Sequence, residues 1–296
     1  MLKRTLFFSN PYHLSLKDRQ LAIHSPDSPG LKTIPIEDVG FLVFDHPQIS
    51  FTMKLVEELN ENNVAVVFCD SKHMPSSMLL PLDANHIQNE LFRLQIEASE
   101  PLKKNLWKQT IECKINNQAL LLDKLGLRSQ DLKNLSNAVK SGDADNREGV
   151  AARIYWQRLF GSPFIRDRYG SPPNPFLNYG YILLRSAVAR ALAGSGLLST
   201  LGIHHRNRYN AFCLADDIME PYRPWADQLA VSMCQRWPDA LMLEKEHKEE
   251  LLKLMAFDVR VGDVKRPLMV ALSITTASLA RCFAGEIRKI TYPVFE

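Results

Sequence analysis

Apolar and polar positions alternate in short runs through the first 70 residues, and turn-forming residues separate the runs. Short runs rich in Leu, aromatic and β-branched residues predict strands. Val64–Phe68 predicts a further, buried strand, and Phe51–Asn60 predicts a short helix capped by Ser50, because its apolar residues share one face. His24–Gly30 predicts a loop from its Pro, Ser and Gly content. The five strand-like runs that come first are RTLFFS, YHLSL, QLAIHS, KTIPI and GFLVF.

The pattern changes near residue 71. Pro and Ser residues over 71–83 predict a linker, and apolar residues then recur every three or four positions, which predicts helices. The segment 161–175 is too rich in Pro and Gly for regular structure, so we expect a loop there. We therefore predict an α+β protein, with a small β-rich domain over residues 1–78 and a larger all-helical domain over 79–296. The predicted helices are His86–Ala98, Leu102–Leu125, Asp131–Val139, Gly149–Phe160, Phe176–Leu192, Tyr209–Met219, Tyr222–Trp237, Glu244–Met255 and Pro267–Phe283.

Composition excludes several classes of protein. The chain has 296 residues, 46% of them hydrophobic and 23% charged, which is typical of a folded globular protein. Five widely spaced cysteines without a C-x-x-C pair argue against a disulfide framework or a cysteine zinc site. The most apolar long stretch, Tyr181–Ile203, is interrupted by Arg185 and Arg190, so we expect no membrane span and a cytoplasmic location.

Arginine is concentrated in one part of the chain. Residues 147–223 contain ten arginines, no lysine and five acids, so this window carries +5; since the whole chain carries +3, the remainder sums to −2. Guanidinium groups bind phosphate oxygens in pairs, so an arginine-only block favours a polyanionic partner. Solvated helix faces are the alternative explanation.

Three acids and a histidine pair form the candidate site. Glu148 lies in the first turn of a predicted helix, while Asp217 and Glu220 are three residues apart and share a helix face. His204-His205 precede that helix. Carboxylates with one imidazole suit Mg²⁺ or Mn²⁺, and such a cation can polarise a phosphodiester. Taken singly, each acid also fits a helix-dipole partner or a solvated face, and the histidines also fit a surface loop.

Motifs of other enzyme classes are absent from the sequence. It contains no G-x-S-x-G elbow, no G-x-x-x-x-G-K-[ST] loop and no G-x-G-x-x-G loop. Nucleophilic hydrolases and nucleotide-binding folds therefore have no support.

Four ordered blocks of sequence resemble the CRISPR-associated spacer-acquisition integrases, and most closely the members that accompany type II effector nucleases. Three of the four blocks contain the candidate acids and histidines. The blocks are EGVAARIYW from Glu148, NPFLNYGYILLR from Asn174, LGIHHRN from Leu201 and NAFCLADDIMEPYRP from Asn210.

The resemblance implies a metal site made by a glutamate, a histidine and a third acid. Glu148 matches the first position, and His205, immediately before Arg-Asn, matches the second in preference to His204. Glu220 matches the third, where many relatives have aspartate, and Asp217 matches a neighbouring acid that supports or substitutes for a ligand. Five arginines of the arginine-rich window are candidate DNA contacts: Arg147, Arg185, Arg206, Arg208 and Arg223.

The resemblance also implies an activity and partners. A DNA 3′-hydroxyl would attack a phosphodiester at a repeat edge, so that a new spacer is inserted by transesterification. The expected partners are double-stranded DNA (prespacer and repeat), a second copy of the chain, the second adaptation protein in a heterohexamer and the type II effector nuclease. The β-rich domain would mediate dimerisation. The alternatives are a metal-dependent nuclease outside CRISPR adaptation and a non-catalytic DNA-binding scaffold.

Overall fold

The computed structural model describes residues 3–26 and 28–296. The chain folds into two compact units, the first ending at Leu82 and the second beginning at Asp83. Each unit has its own buried apolar core. The mixed composition of strands first and helices afterwards agrees with the predicted α+β class.

Within its described residues, the first unit has eight strands, one α-helix and a 3₁₀ turn at Ile36–Asp38. The strands form two four-stranded sheets, with orders β1-β5-β7-β8 and β4-β3-β2-β6. In the first sheet β1, β5 and β7 are parallel and β8 is antiparallel. Buried side chains from both sheets and from the helix, among them Leu14, Leu42 and Leu55, make one core. The elements are β1 Arg4–Phe8, β2 His13–Lys17, β3 Gln20–Ser25, β4 Ser28–Pro35, β5 Val39–Phe44, β6 Ser50–Phe51, α1 Met53–Glu61, β7 Ala65–Cys69 and β8 Pro75–Leu79.

The predicted linker over 71–83 is wrong in its middle part, because Pro75–Leu79 form the edge strand β8 against β7. A proline is tolerated there since it is the first residue of an edge strand. The predicted loop 24–30 is also too long: β4 begins at Ser28, while Asp27 lies outside the described residues.

The cap of the first helix lies two residues later than predicted. Thr52, not Ser50, has the extended backbone of an N-cap, and its hydroxyl accepts a hydrogen bond from the Leu55 amide. Ser50 belongs to β6, where it pairs with His13 of β2. Helix α1 therefore starts at Met53.

The second unit is built around two long helices. Helix α3 packs against α4, α5 and a 3₁₀ turn at Glu220–Tyr222, and α6 packs against α7, α8, α9 and α10. Among the described residues, no helix is both long and apolar enough to cross a membrane. The elements are α2 Gln88–Glu97, α3 Glu100–Lys124, α4 Gln130–Asn137, α5 Arg147–Phe160, α6 Asn174–Gly194, α7 Cys213–Met219, α8 Arg223–Arg236, α9 Lys245–Leu252, β9 Asp258–Val261, β10 Val264–Pro267 and α10 Leu268–Phe283.

The predicted all-helical character of residues 79–296 is wrong in one place. There β9 and β10 form an antiparallel hairpin. Val259 and Val261 are buried while their neighbours Asp258 and Arg260 are exposed, which is the alternation of a half-buried strand. Gly262 supplies the positive φ of the turn, +60°. The hairpin is too short to stand out from the helical periodicity around it.

Helix α7 is shorter than predicted and begins at Cys213, not Tyr209. Asn207 and Asn210 each accept a hydrogen bond from the amide two residues later, at Tyr209 and Phe212. Such side-chain turns compete with helix formation. The loop that carries the histidine pair therefore extends to the start of α7.

Candidate active site

Glu148 is fixed at the start of α5 by two capping side chains. The Asp143 carboxylate accepts hydrogen bonds from the Arg147 and Glu148 amides at 2.8 and 3.0 Å. Asn146, which has a left-handed backbone, accepts from the Gly149 amide at 3.1 Å. These caps satisfy the free amides of the first turn, and the helix dipole favours a carboxylate there. Glu148 is therefore held in place by its own helix terminus.

The histidine loop is anchored on Asp217, whose side chain is fully buried in α7. One carboxylate oxygen accepts from the His204 amide at 2.9 Å, and the other accepts from the His205 amide at 3.2 Å and from the ring Nδ1 at 2.5 Å. Gly202 makes this approach possible, since a Cβ there would lie 2.4 Å from the His205 carbonyl oxygen and 2.8 Å from Asp217 Oδ2. Both oxygens of Asp217 are therefore used to hold the backbone and the imidazole of the histidine loop.

The two histidines have different surroundings. His205 must carry its proton on Nδ1, because that atom faces a carboxylate, so in the neutral ring the Nε2 lone pair is available to a ligand. The hydrogen bond to Asp217 raises the pKa of His205 against the lowering effect of partial burial, and the charges of Glu220 and Glu148 raise it further. His204 instead stacks flat on the Trp107 ring, with the centroids 4.1 Å apart. The predicted choice of His205 over His204 is consistent with this geometry.

Glu220 is almost fully buried at the start of the 3₁₀ turn that follows α7. Its Oε1 lies 2.8 Å from an Arg223 nitrogen, and its Oε2 lies 2.6 Å from Lys114 Nζ. Burial raises the pKa of Glu220, but the charges of Arg223 and Lys114 outweigh it, and the pKa is below its ordinary value. The carboxylate is therefore ionised at neutral pH. Oε2 has no hydrogen-bond partner among the described residues, although Lys114 is in ion-pair contact with it.

Lys114 connects the two glutamates, and the sequence analysis missed it. Its ammonium nitrogen lies 2.6 Å from Glu148 Oε1 and 2.6 Å from Glu220 Oε2, so the two carboxylates converge on one cationic atom. The signal in the sequence is its position on α3: Lys114 falls between the buried Ile111 and Gln118 at spacings of three and four. A lysine on a buried helix face needs an acidic partner.

The predicted ligands are brought together only in part. Glu148 and Glu220 share a cation, and His205 is within electrostatic range of both. The described part of the chain contains no group of three His, Cys, Asp or Glu side chains arranged as a metal site. The donor set nevertheless fits a hard divalent ion, because the two carboxylates converge on one point that a single cationic atom already occupies.

The family model described as CRISPR associated protein Cas1 matches residues 6–253 of this chain. A CRISPR-associated endonuclease Cas1 from Neisseria meningitidis serogroup C (strain 8013) is 36% identical over 263 residues, which are 88% of this chain and 86% of that relative. The chain belongs to the Cas1 family. The resemblance drawn from the four sequence blocks is thereby confirmed at the level of the family.

Solved structures of the Cas1 fold agree with the architecture. A casposase bound to integration product matches with a TM-score of 0.78 at 18% identity, covering 97% of this chain and 92% of that one. A Cas6-RT-Cas1–Cas2 complex matches with a TM-score of 0.71 at 18% identity, covering 98% of this chain and 36% of the longer one. At these identities the likeness establishes the fold.

Most of the candidate DNA-binding arginines of this Cas1-family chain already face carboxylates. Arg185 makes a two-point contact with Asp216 at 2.6 and 2.9 Å. Arg208 instead lies over the neighbouring Tyr209 ring, 4.6 Å from its centroid, and makes no ion pair within the described residues. Internal pairing lowers the number of guanidinium groups that are free for phosphate. The other pairs are Arg147 with Asp145 at 3.6 Å, Arg206 with Glu100 at 2.6 Å and Arg223 with Glu220 at 2.8 Å.

An open cavity of about 460 Å³ lies beside the histidine loop. His205, Arg206 and Arg208 line it together with Lys103 of α3. Cationic side chains next to the candidate ligands give phosphate a place to bind. The cavity also includes Glu100, the partner of Arg206, so this surface carries mixed charge.

A buried carboxylate behind the site is a second feature that the sequence analysis missed. Asp227 of α8 accepts hydrogen bonds from the Tyr155 and Tyr181 hydroxyls at 2.7 and 2.5 Å. The Arg223 guanidinium lies over the Tyr181 ring, 4.6 Å from its centroid. Asp227 therefore supports the arginine that contacts Glu220.

Asp227 should make the stability of the protein depend on pH. Burial raises its pKa from 3.8 to about 6, against the lowering effect of the tyrosine hydrogen bonds. Because the folded protein then holds the proton more tightly than the unfolded chain, this contribution is fully present below pH ~4 and is lost as pH rises through ~6. The raised pKa makes the folded protein about 3 kcal/mol less stable at pH 7 than at low pH. About 2 kcal/mol of this loss in the free energy of unfolding occurs between pH 4 and pH 7.

We expect Asp227→Asn to remove this dependence. The measurement is the free energy of unfolding in urea at pH 4 and pH 7 for the variant and the unaltered protein, with exposed Asp239→Asn as the control. Between pH 4 and pH 7, the free energy of unfolding of Asp227→Asn should rise by about 2 kcal/mol relative to that of the unaltered protein. A shift no larger than that of the control would contradict the assignment.

Proposed function

We propose that the protein is a metal-dependent DNA endonuclease and integrase, which inserts spacers into a CRISPR array by transesterification. One observation carries the proposal: Glu148 and Glu220, from separate elements, converge on a single cationic atom within range of His205. Membership of a family whose relatives include a CRISPR-associated endonuclease Cas1 supports the activity. The fold shared with a casposase bound to integration product supports strand joining.

Each side chain of the site has a distinct role in this proposal. Glu148, Glu220 and the Nε2 atom of His205 would hold Mg²⁺ or Mn²⁺, which when bound would neutralise charge that develops on the attacked phosphate. Asp217 keeps the Nδ1 proton of His205 in place and so fixes the orientation of the ring. Arg223 helps to keep Glu220 ionised, and Asp143 fixes the terminus that carries Glu148. Arg208, which lines the cavity without an acidic partner among the described residues, would bind phosphate and help to position the DNA.

The test is a joining reaction between a DNA fragment and a plasmid that carries a CRISPR repeat, with Mn²⁺ or Mg²⁺ and with chelator. We expect a joined product that requires the metal and a free 3′-hydroxyl, so a fragment with a 3′-dideoxy end is the matched control. Metal-dependent cleavage without joining would indicate a nuclease that uses water. Binding without any product would indicate a scaffold.

The proposed partners are DNA, a second copy of the chain and Cas2. The Cas2 partner is supported by the similarity to a Cas6-RT-Cas1–Cas2 complex. We propose a heterohexamer in which two dimers of this chain bridge one Cas2 dimer. Association with a type II effector nuclease stays a prediction from the sequence blocks. For the homodimer, the first unit is the candidate, because each of its sheets ends in strands that pair on one side only within the described residues.

A chain beginning at Ala84 is expected to stay helical and to bind divalent metal, yet to lose dimerisation and the joining of both DNA ends. The reason is that all candidate ligands lie in the second unit, whereas the exposed sheet edges lie in the first. Molar mass by light scattering, measured alongside the joining reaction, checks both parts. If the shortened protein is still a dimer that joins both ends, the first unit has another role.

A further inference from the structure

Lys114 is enclosed between the two carboxylates that the proposed function assigns to a metal. Its side chain is 8% exposed, and both contacts of its ammonium group are 2.6 Å long. Lysine is almost never buried unless it is paired, so the two glutamates are its partners in this fold. The ammonium nitrogen therefore lies where the carboxylates converge, which is also the place that a divalent ion would use.

The backbone around Lys114 is held firmly. Asn117, three residues later on α3, donates a hydrogen bond from its Nδ2 to the Pro221 carbonyl oxygen at 2.9 Å, and its Oδ1 accepts from the Phe295 amide at 3.1 Å. Pro221 immediately follows Glu220, so the 3₁₀ turn is fixed to the helix that carries the lysine. The helix cannot slide away without breaking these bonds. Exchange of cations is then a matter of side-chain rotation, which the flexible stem of the lysine allows.

Charge counting indicates competition. Glu148, Glu220 and the Asp217 carboxylate behind His205 contribute −3, while Lys114 and Arg223 contribute +2, so with a neutral imidazole the site carries −1 without a metal ion. Adding a divalent ion with both cations still in contact would leave +1 in a largely buried site and would place the ion against the Lys114 ammonium, which is unfavourable. When the Lys114 ammonium group moves away from one carboxylate, the repulsion between it and the divalent ion decreases.

We propose that Lys114 is a built-in counter-cation, which holds the place of the divalent ion between Glu148 and Glu220 and must be displaced when metal binds. This inference rests on the proposed function, because it takes the glutamates to be metal ligands. Lys114 thereby keeps the acids ionised and close together in the metal-free protein. It also weakens metal binding, since part of the binding free energy goes into moving the ammonium group.

The experiment compares Lys114→Met with Lys114→Arg in the full-length protein. Methionine is one heavy atom shorter than lysine, keeps an unbranched side chain and removes the charge, while arginine keeps the charge. Lys108→Met is the matched control, because Lys108 lies on the same helix and pairs with Glu112 at 3.5 Å outside the cluster. The dissociation constant for Mn²⁺ is measured by electron paramagnetic resonance without DNA, and the thermal midpoint is measured with chelator and with saturating Mn²⁺.

We expect Lys114→Met to bind Mn²⁺ at least about tenfold more tightly than the unaltered protein. In chelator its thermal midpoint should fall by several degrees, and Mn²⁺ should restore it, whereas Lys114→Arg and Lys108→Met should stay close to the unaltered protein. Adding Glu148→Gln to Lys114→Met should recover part of the midpoint lost in chelator, because it removes the carboxylate left unpaired. A merely structural lysine would lower the midpoint without tightening Mn²⁺ binding.

The possible failures are distinguishable. If Lys114→Met binds Mn²⁺ no more tightly than Lys108→Met, the counter-cation role is overturned while the metal site of the proposed function stands. If neither the unaltered protein nor any variant binds Mn²⁺, both the displacement and the metal dependence of the proposed function are overturned. Should Lys114→Met fail to fold, Lys114→Gln supplies the same comparison.

Discussion

Joining of DNA strands should fall by about a thousandfold when Glu148, His205 or Glu220 is replaced by alanine, because the three side chains act as one unit. The structure supports this expectation by the convergence of the two carboxylates on one cationic atom and by the imidazole that Asp217 holds nearby. Ligands that act together give non-additive losses, so the triple variant should be little worse than a single one. The measurement is the initial rate of joining at saturating metal.

Two controls separate loss of chemistry from loss of fold. Glu220 is buried against Lys114 and Arg223, so Glu220→Gln accompanies the alanine variant and preserves the packing. Circular dichroism and thermal unfolding report whether each variant is folded. His204→Ala should retain most of the joining rate, because its ring stacks on Trp107 and only its backbone amide bonds to Asp217. Equal losses at both histidines would show that the assignment to His205 is wrong, and a folded Glu148 variant with normal joining would remove Glu148 from the set.

DNA affinity should depend steeply on salt and little on sequence. If roughly six phosphates are neutralised, affinity falls by about three orders of magnitude between 50 and 200 mM salt. The arginine-rich window motivates this expectation, but the internal pairs of Arg185 with Asp216 and of Arg206 with Glu100 must loosen before those groups can contribute. Binding isotherms on unrelated duplexes at several salt concentrations give the slope. A slope near zero would exclude phosphate contacts as the main source of affinity.

Arg208 offers the sharpest single substitution for that measurement. It stacks on Tyr209 without an acidic partner among the described residues, so Arg208→Ala should lower the salt slope by about one. Arg236 is the control, because it also stacks on the following residue, Trp237, but it pairs with Glu250 at 3.9 Å and lies outside the arginine window. Equal effects of the two substitutions would show that general charge, not this surface, determines the affinity.

The sequence by itself determined the class of fold, most of the helices and the family, and it named the residues that we propose for the site. Helical periodicity is a local property, and the long helices α3 and α6 follow it closely because each buries many side chains at helical spacing, although the buried side of α3 also carries polar residues such as Lys114 and Asn117. The errors fall on short elements, such as β8 and the β9–β10 hairpin, whose few residues gain their stability from a neighbouring strand. The blocks around Glu148, His205 and Glu220 identified the family.

Only the tertiary structure decided which charges meet. Lys114 and Glu148 are 34 residues apart, and their contact exists because α3 packs against α5. The sequence shows a lysine on a buried helix face but not the carboxylates that compensate it. Asp227 appears equally ordinary in the sequence, and its raised pKa depends on burial between Tyr155 and Tyr181 of two other helices. Hydrophobic pattern determines where a segment turns inward, whereas the partner of a buried charge depends on how distant segments pack, which no local pattern records.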